Sequence, residues 1–343
     1  MTVRVGINGF GRIGRSFYRA ILARGSDAGV ELVAVNDPMG DSSTMAFLLK
    51  HDSVGGKLHH EVKATDSGFS VDGAEIQKLE VMDPAEIPWG DHGVDVVIES
   101  TGLFTDREKA AAHLMGGASR GIISAPSSDA DATICMGVND SVFDPDQHQV
   151  LSNASCTTNC LAPMAKVLHD SFGIERGFMT TVHAYTTDQS LQDLAATSRK
   201  GTPDLRRMRA AALSIIPSST GAAKAIGLVL PDLKGKLDGI SLRVPTPVGS
   251  ITDLSAELTK SASIDEINAA FAQAANDTSY RQVLEYSEEP LVSADIVGNP
   301  ASCIFSARDT MASASMVKVL GWYDNEWGFS NRLIDLVEFV GAR

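Results

Sequence analysis

The segment Gly6-Ile7-Asn8-Gly9-Phe10-Gly11-Arg12-Ile13-Gly14 constrains the fold of this chain more than any other. It joins a short apolar run, Val3 to Ile7, to a run from Arg12 to Arg24 in which Ile13, Phe17, Ala20 and Ile21 recur at helical spacing. Gly9, Gly11 and Gly14 fit a G-x-G-x-x-G turn. In such a turn the first glycine permits the tight bend and the second lets a pyrophosphate approach the backbone. The third lets helix and sheet pack closely. The helix N-terminus beyond it offers amides to phosphate. A second strand, Glu31 to Val35, ends at Asn36-Asp37. An acid there accepts hydrogen bonds from a ribose 2′-hydroxyl and repels a 2′-phosphate, which favours NAD over NADP.

Val94 to Ile98 and Gly121 to Ser124 add short apolar runs of the buried parallel type, with a helix-like stretch from Asp106 to Met115. This alternation predicts an α/β, doubly wound parallel sheet. After Cys156 the texture changes. A helix is expected from Leu161 to Phe172, then a strand from Gly177 to His183 and a polar, basic loop from Thr186 to Arg209. Leu237 to Val244, Ile251 to Leu258 and Met316 to Trp322 have the length of half-buried strands in a mostly antiparallel sheet. Ile264 to Ala275 and Trp327 to Val340 carry helical stripes. A chain of 343 residues is long enough for two domains, and this change of texture predicts an α+β second one.

The net charge of −14 disfavours a nucleic-acid partner, whose backbone would be repelled, but leaves room for a local anion site. No run approaches the ~20 apolar residues of a membrane span. Met1 to Ile7 passes straight into a strand without a signal-peptide pattern, so a cytoplasmic protein is expected. Four cysteines, Cys135, Cys156, Cys160 and Cys303, are too few for a disulfide framework. Cys156 with Cys160 lacks the second ligand pair a zinc site would need nearby, and His59 and His60 point their side chains in different directions in any regular structure, so no metal site is expected.

Cys156 lies in Ser152-Asn153-Ala154-Ser155-Cys156-Thr157-Thr158-Asn159-Cys160. Hydroxyls and amides crowd its sulfur, which suits a reactive thiolate beside anion-binding groups. A buried structural cysteine remains open on the local sequence alone. A nucleotide site and a nucleophilic thiol in one chain suit aldehyde oxidation. The thiolate adds to a carbonyl, the hemithioacetal loses hydride, and a thioester keeps the oxidation energy. A base is then required. His183, at the end of an apolar strand and the start of a polar loop, is the best placed of the eight histidines, although a lone histidine is often structural.

Over nearly its whole length, from Val3 to about Leu336, the chain resembles the phosphorylating glyceraldehyde-3-phosphate dehydrogenases. The matching blocks are Ile7 to Arg15, Ser152 to Cys160, His183 to Gln189, Asp204 to Arg207, Ser219 to Ala225, Leu242 to Pro247 and Trp322 to Glu326. The resemblance implies Cys156 as nucleophile and His183 as its ion-pair partner and general base. It implies Thr186, Asp188 and Arg243 at the substrate's phosphate, and Ser155, Thr157, Thr220 and Gly221 at the attacking inorganic phosphate. Asn8, Phe10, Gly11, Arg12, Ile13, Asp37, Thr101, Ser124 and Asn325 would hold NAD. The implied domains are a Rossmann NAD-binding domain, 1–155 with 325–343, and a catalytic domain, 156–324. Glyceraldehyde 3-phosphate, inorganic phosphate and three further copies in a homotetramer are the implied partners.

Three features depart from the family pattern. The loop 194–203, with Arg199 and Lys200, is longer than is usual. Met82 stands where many members carry arginine, and Phe329 where many carry tyrosine. Two other functions compete: a sister enzyme that oxidises erythrose 4-phosphate and releases free acid, and an idle dinucleotide-binding protein. Retention of Cys156, His183 and Arg243 disfavours the idle protein.

Overall fold

The computed structural model describes residues 2–195, 203–280 and 282–343. Arg199 and Lys200 of the long loop lie outside the described residues. The chain divides into two compact units. The first holds Met1–Ile134, Ser141–Ala154 and Ser330–Arg343, and the second holds Cys135–Asp140 and Ser155–Phe329.

Among the described residues the sheet of the first unit has nine strands. Val3–Asn8 pairs in parallel with Val30–Asn36 on one side and with Val96–Glu99 on the other. Beyond Val30–Asn36 the order runs through Ala74–Leu79, Gly68–Val71 and Val62–Thr65, the last two added antiparallel. Beyond Val96–Glu99 it runs through Arg120–Ile123 and Val150–Ser152 to Ala132–Thr133, all parallel. The direction of winding therefore reverses between Val3–Asn8 and Val96–Glu99. Such a switch point opens a crevice at the carboxyl ends of the strands, where ligands bind. The central strands are buried almost continuously, as strands covered on both faces must be. The helix Arg12–Arg24 buries Phe17, Tyr18, Ala20 and Ile21, the residues of its apolar stripe. Its last residue, Arg24, pairs with Asp335 at 2.7 Å, which ties in the closing helix Trp327–Gly341.

The second unit is built on an eight-stranded sheet, again among the described residues. Ile216–Ser219, Leu237–Val244, Ile174–Ala184, Ser250–Leu258, Met316–Tyr323, Cys303–Ser306 and Leu284–Ser287 follow one another, and Met311–Ser313 also pairs with Met316–Tyr323. The pairs are antiparallel except two, Ile174–Ala184 with Leu237–Val244 and Leu284–Ser287 with Cys303–Ser306. Ser250–Leu258 alternates strictly between buried and half-buried residues, the pattern of a sheet packed on one face. The parallel-then-antiparallel architecture agrees with the α/β class and the second α+β domain expected from the sequence.

Local boundaries differ in three places. The helix expected from Leu161 begins at Cys156 and runs to Phe172. Its first turn is polar because capping, not packing, stabilises it: Ser155 Oγ accepts the Thr158 amide at 3.0 Å. The stretch from Asp106 to Met115 forms two short helices, Arg107–Ala110 and Ala112–Met115. The strand expected from Gly177 extends over Ile174–Ala184.

Candidate active site

The three turn glycines have separate physical duties. Gly9 adopts φ +91°, and a Cβ there would stand 2.7 Å from the Thr101 amide nitrogen. A Cβ on Gly14 would meet the Gly9 carbonyl oxygen at 2.5 Å, so helix and turn touch there. A Cβ on Gly11 would meet nothing within 4 Å, which leaves the space a pyrophosphate needs beside the helix N-terminus. Gly11 is the N-cap of Arg12–Arg24 and supplies no side chain to its amides. Asp37 is held by two backbone donors, Phe10 N at 2.8 Å to Oδ2 and Met39 N at 2.9 Å to Oδ1. Each oxygen retains acceptor capacity for a ribose hydroxyl.

The other residues of the first unit expected at the cofactor surround this turn or follow it. Phe10 is buried and stacks on Phe69 with ring centroids 5.4 Å apart. Arg12 and Ile13 open the helix. The Arg12 guanidinium turns to Asp52 at 2.9 Å, which leaves backbone amides, not charge, for a phosphate. Burial would raise the Asp52 carboxyl, but Arg12 and the amides of Gly55 and Val54 hold it down to about 2. Ser124 Oγ donates to the Glu99 carbonyl at 3.0 Å, and Thr101 donates to the Glu99 side chain from both its amide and its hydroxyl.

In the second unit Cys156 is the first residue of its helix, where the N-terminal dipole favours a thiolate. Its Sγ lies 3.4 Å from His183 Nε2. His183 and Arg243 are register partners on the parallel pair Ile174–Ala184 and Leu237–Val244. Two groups approach His183 Nδ1, the Ala184 carbonyl at 2.7 Å and Arg243 Nη1 at 2.8 Å. An arginine nitrogen only donates. In one tautomer Nδ1–H donates to Ala184 O while Arg243 Nη1 donates to Ala184 O at 3.0 Å and Thr186 Oγ1 at 3.2 Å, and Arg243 then acts on Nδ1 through its charge, not a hydrogen bond. Nε2 is then the acceptor of the ring, and it faces the thiol.

From Arg243 the contacts continue outward. Thr186 Oγ1 donates to Asp188, and Asp188 pairs with Arg207. Asp188 thus places a second guanidinium beside the first, and both lower the His183 pKa. Arg243 Nε is buried without a partner, a donor left to a ligand. Ser155 caps the Cys156 helix. Thr157 Oγ1 meets the Tyr323 hydroxyl at 2.9 Å, and that hydroxyl also meets Thr181 Oγ1 at 2.7 Å. The Tyr323 ring stands edge-on to His183, with centroids 5.9 Å apart. Thr220 and Gly221 precede the helix Ala222–Val229. A Cβ on Gly221 would meet nothing within 4 Å, so this helix also begins beside open space. Among the described residues no hydrogen bond links Thr220 or Gly221 to the Cys156 cluster. Asn325 is buried, and its Oδ1 accepts from Gly249 N at 3.2 Å and Ser250 Oγ at 3.0 Å. That orientation leaves Nδ2 to donate, as a nicotinamide carboxamide oxygen requires. Phe329 is buried and Met82 is exposed.

Burial drives the His183 imidazole down to about 3, and Arg243 and Arg207 push the same way against the Ala184 carbonyl. Burial raises the Cys156 thiol, while Arg243 and the hydroxyl and amide of Thr157 pull it back. The resemblance implies an ion pair, and in the ligand-free chain burial opposes the charged form of both its members. Beside burial, the larger cause, the cation at Nδ1 opposes a second positive charge on the ring. Arg243→Gln is therefore expected to raise the His183 pKa. In a Cys156→Ser background, which removes the competing thiol, ring chemical shifts would show the midpoint moving up from about 3. An unchanged or lower midpoint would remove Arg243 as the cause.

Sequence reasoning missed Arg207, Tyr323, Glu99 and His113 as individual members of these clusters. Arg207 and Tyr323 lie inside recognised blocks, but their partners, Asp188 and Thr157, are distant in the chain. His113, in the short helix Ala112–Met115, is fully buried and lies 2.9 Å from Glu99.

Residues 3–107 match the family described as "Glyceraldehyde 3-phosphate dehydrogenase, NAD binding domain", and residues 155–325 match "Glyceraldehyde 3-phosphate dehydrogenase, C-terminal domain". Similarity to curated proteins extends over the whole chain. It is 57% identical over 342 residues to the glyceraldehyde-3-phosphate dehydrogenase of Streptomyces coelicolor, covering 99% of each chain. The chain belongs to the glyceraldehyde-3-phosphate dehydrogenase family. Two further relatives with that name, from Mycobacterium leprae and Mycobacterium avium, are 58% and 59% identical over 345 residues, again with 99% of each chain covered. Membership in this dehydrogenase family makes the glycine turn part of a Rossmann NAD-binding domain. Among the described residues no helix is long and apolar enough to cross a membrane, and no cluster suits a metal ion.

Proposed function

We propose that this chain oxidises D-glyceraldehyde 3-phosphate with inorganic phosphate and NAD to 1,3-bisphosphoglycerate, a step of glycolysis and gluconeogenesis. The observation that carries the reading is Cys156 Sγ at 3.4 Å from His183 Nε2, with Arg243 at the opposite ring nitrogen. Arg243 and Thr186 bind the phosphate of the substrate, and Asp188 serves by holding Thr186 and Arg207. A dianion there offsets the cation that opposes imidazolium. Arg243 touches His183 at Nδ1, while the thiol is at Nε2. Neutralising the cation therefore favours proton transfer from sulfur to ring. Cys156 then attacks the aldehyde carbon, and the His183 imidazolium protonates the new alkoxide. Once again neutral, His183 takes the hemithioacetal hydroxyl proton as the hydride leaves. Bound NAD supplies the acceptor for that hydride. Ser155, Thr157, Thr220 and Gly221 receive the inorganic phosphate that cleaves the thioester, and the open space at Gly221 supports that role.

Asn8, Phe10, Gly11, Arg12, Ile13, Asp37, Thr101 and Ser124 hold NAD in the domain 1–155 with 325–343. Asn325 binds the carboxamide, and 156–324 form the catalytic domain. A cytoplasmic homotetramer completes the reading. Phe178 and Ile240, exposed on neighbouring strands, support self-association.

The test is a spectrophotometric assay of NAD and NADP reduction with glyceraldehyde 3-phosphate, with and without phosphate. Reduction is expected to depend on phosphate. NAD is expected to win by at least about tenfold in efficiency, which needs only ~1.4 kcal/mol of differential transition-state binding at Asp37. Sustained turnover without phosphate would favour the sister enzyme that releases free acid. Equal use of NADP would remove Asp37 as the selector.

A further inference from the structure

The NAD-binding unit contains a buried polar chain that the reaction above does not use. Glu99 is 1% exposed and ends the strand Val96–Glu99 opposite Asn8, its register partner across the switch point. Its carboxylate receives four donors. Asn8 Nδ2 reaches Oε2 at 2.6 Å and His113 Nε2 reaches the same oxygen at 2.9 Å. The Thr101 amide donates to Oε1 at 2.9 Å, and the Thr101 hydroxyl donates there too.

Groups of fixed polarity orient these donors from both ends. The Trp89 indole N–H, a donor only, reaches His113 Nδ1 at 3.2 Å. Nδ1 must accept, so the neutral ring carries its proton on Nε2 and donates it to Glu99. At the other end the Val81 amide donates to Asn36 Oδ1 at 2.8 Å. This turns Asn36 Nδ2 to the Val81 carbonyl at 2.9 Å and to Asn8 Oδ1 at 2.8 Å. Asn8 can then present only its NH₂ to Glu99.

We propose that Glu99 is a positioning residue for the nicotinamide half of the dinucleotide: its acceptor-only carboxylate, anchored across the switch point by Asn8, sets the Thr101 backbone at the end of Val96–Glu99. The proposal rests on the reading of Thr101 as a dinucleotide contact. In a doubly wound sheet the two mononucleotide halves lie on opposite sides of the switch point. Asp37 follows Val30–Asn36 and belongs to the adenosine side, so the end of Val96–Glu99 serves the other half. Glutamine at position 99 keeps the shape but replaces one acceptor by NH₂. One amide orientation opposes the two donors of Asn8 and His113, and the other opposes the Thr101 amide, whose neighbouring hydroxyl can turn to accept. These opposed donors cannot reverse, because Val81, Trp89 and the Thr101 amide are fixed.

Calorimetric titration of NAD and AMP into wild type, Glu99→Gln and Glu99→Asp tests this. Glu99→Gln is expected to weaken NAD about tenfold or more, as buried donors left unpaired would, with AMP changed by less than about twofold. Glu99→Asp keeps two acceptors on a shorter stem and is expected to bind NAD between the other two. Unchanged NAD affinity in Glu99→Gln, equal losses for NAD and AMP, or an Asp variant no better than the Gln variant would overturn the proposal. If the Gln variant does not fold, the Asp variant decides: a loss confined to NAD supports the proposal and an equal loss for AMP overturns it. Nitrogen-15 NMR of wild type at neutral pH is expected to show His113 protonated on Nε2 alone, and the other tautomer would overturn the polarity argument. Wild type that binds no NAD would defeat the functional reading itself, a result distinct from any of these.

Discussion

Cys156→Ser is expected to reduce aldehyde oxidation by at least about 10³, with NAD affinity nearly unchanged. A serine hydroxyl keeps the helix position and the approach to His183. Its pKa, however, is too far above neutrality for the imidazole to ionise it, and an oxygen ester would not conserve the oxidation energy. The glycine turn and Asp37 belong to the other compact unit, so the substitution leaves them in place. Steady-state NADH formation and a separate NAD titration check both halves of the statement. Activity within about tenfold of wild type would take the nucleophile's role away from Cys156.

His183→Asn is expected to lower turnover by about 10² to 10⁴, the range for loss of a positioned acid–base group. Asparagine can still donate to the Ala184 carbonyl and so preserve the local fold. It has no basic nitrogen to take the thiol proton or to return it to the alkoxide. The loss should fall on turnover more than on the Michaelis constant, because Arg243 and Thr186 still hold the phosphate. A variant that loses affinity but turns over normally at saturation would make His183 a structural support for Arg243.

Much of this was legible before any coordinates. The glycine spacing and the strand–helix alternation are local, and they placed the doubly wound unit, Asp37 and the turn. Cys156 and His183 stood out because polar residues surround them at the ends of apolar elements. The polar first turn of the Cys156 helix was not legible as helix, since Ser155, Thr157, Thr158 and Asn159 have poor helix propensity. Capping by Ser155 overrides that propensity. The downward push on the His183 pKa was not legible either, because it depends on burial and on the distance of Arg243 from Nδ1.

By itself the sequence determined the periodicities, the turn chemistry and the residue types available for binding and catalysis, all of which act over a few residues. Only the tertiary structure decided which of them meet. Strand register brings His183 to Arg243 and Asn8 to Glu99, residues 60 and 91 positions apart in the chain. Helix and sheet packing brings Cys156 to His183 and Thr157 to Tyr323. The physical reason is that a hydrogen bond or a field between side chains depends on distance in space, and no local pattern encodes the partner of a residue buried beneath another strand.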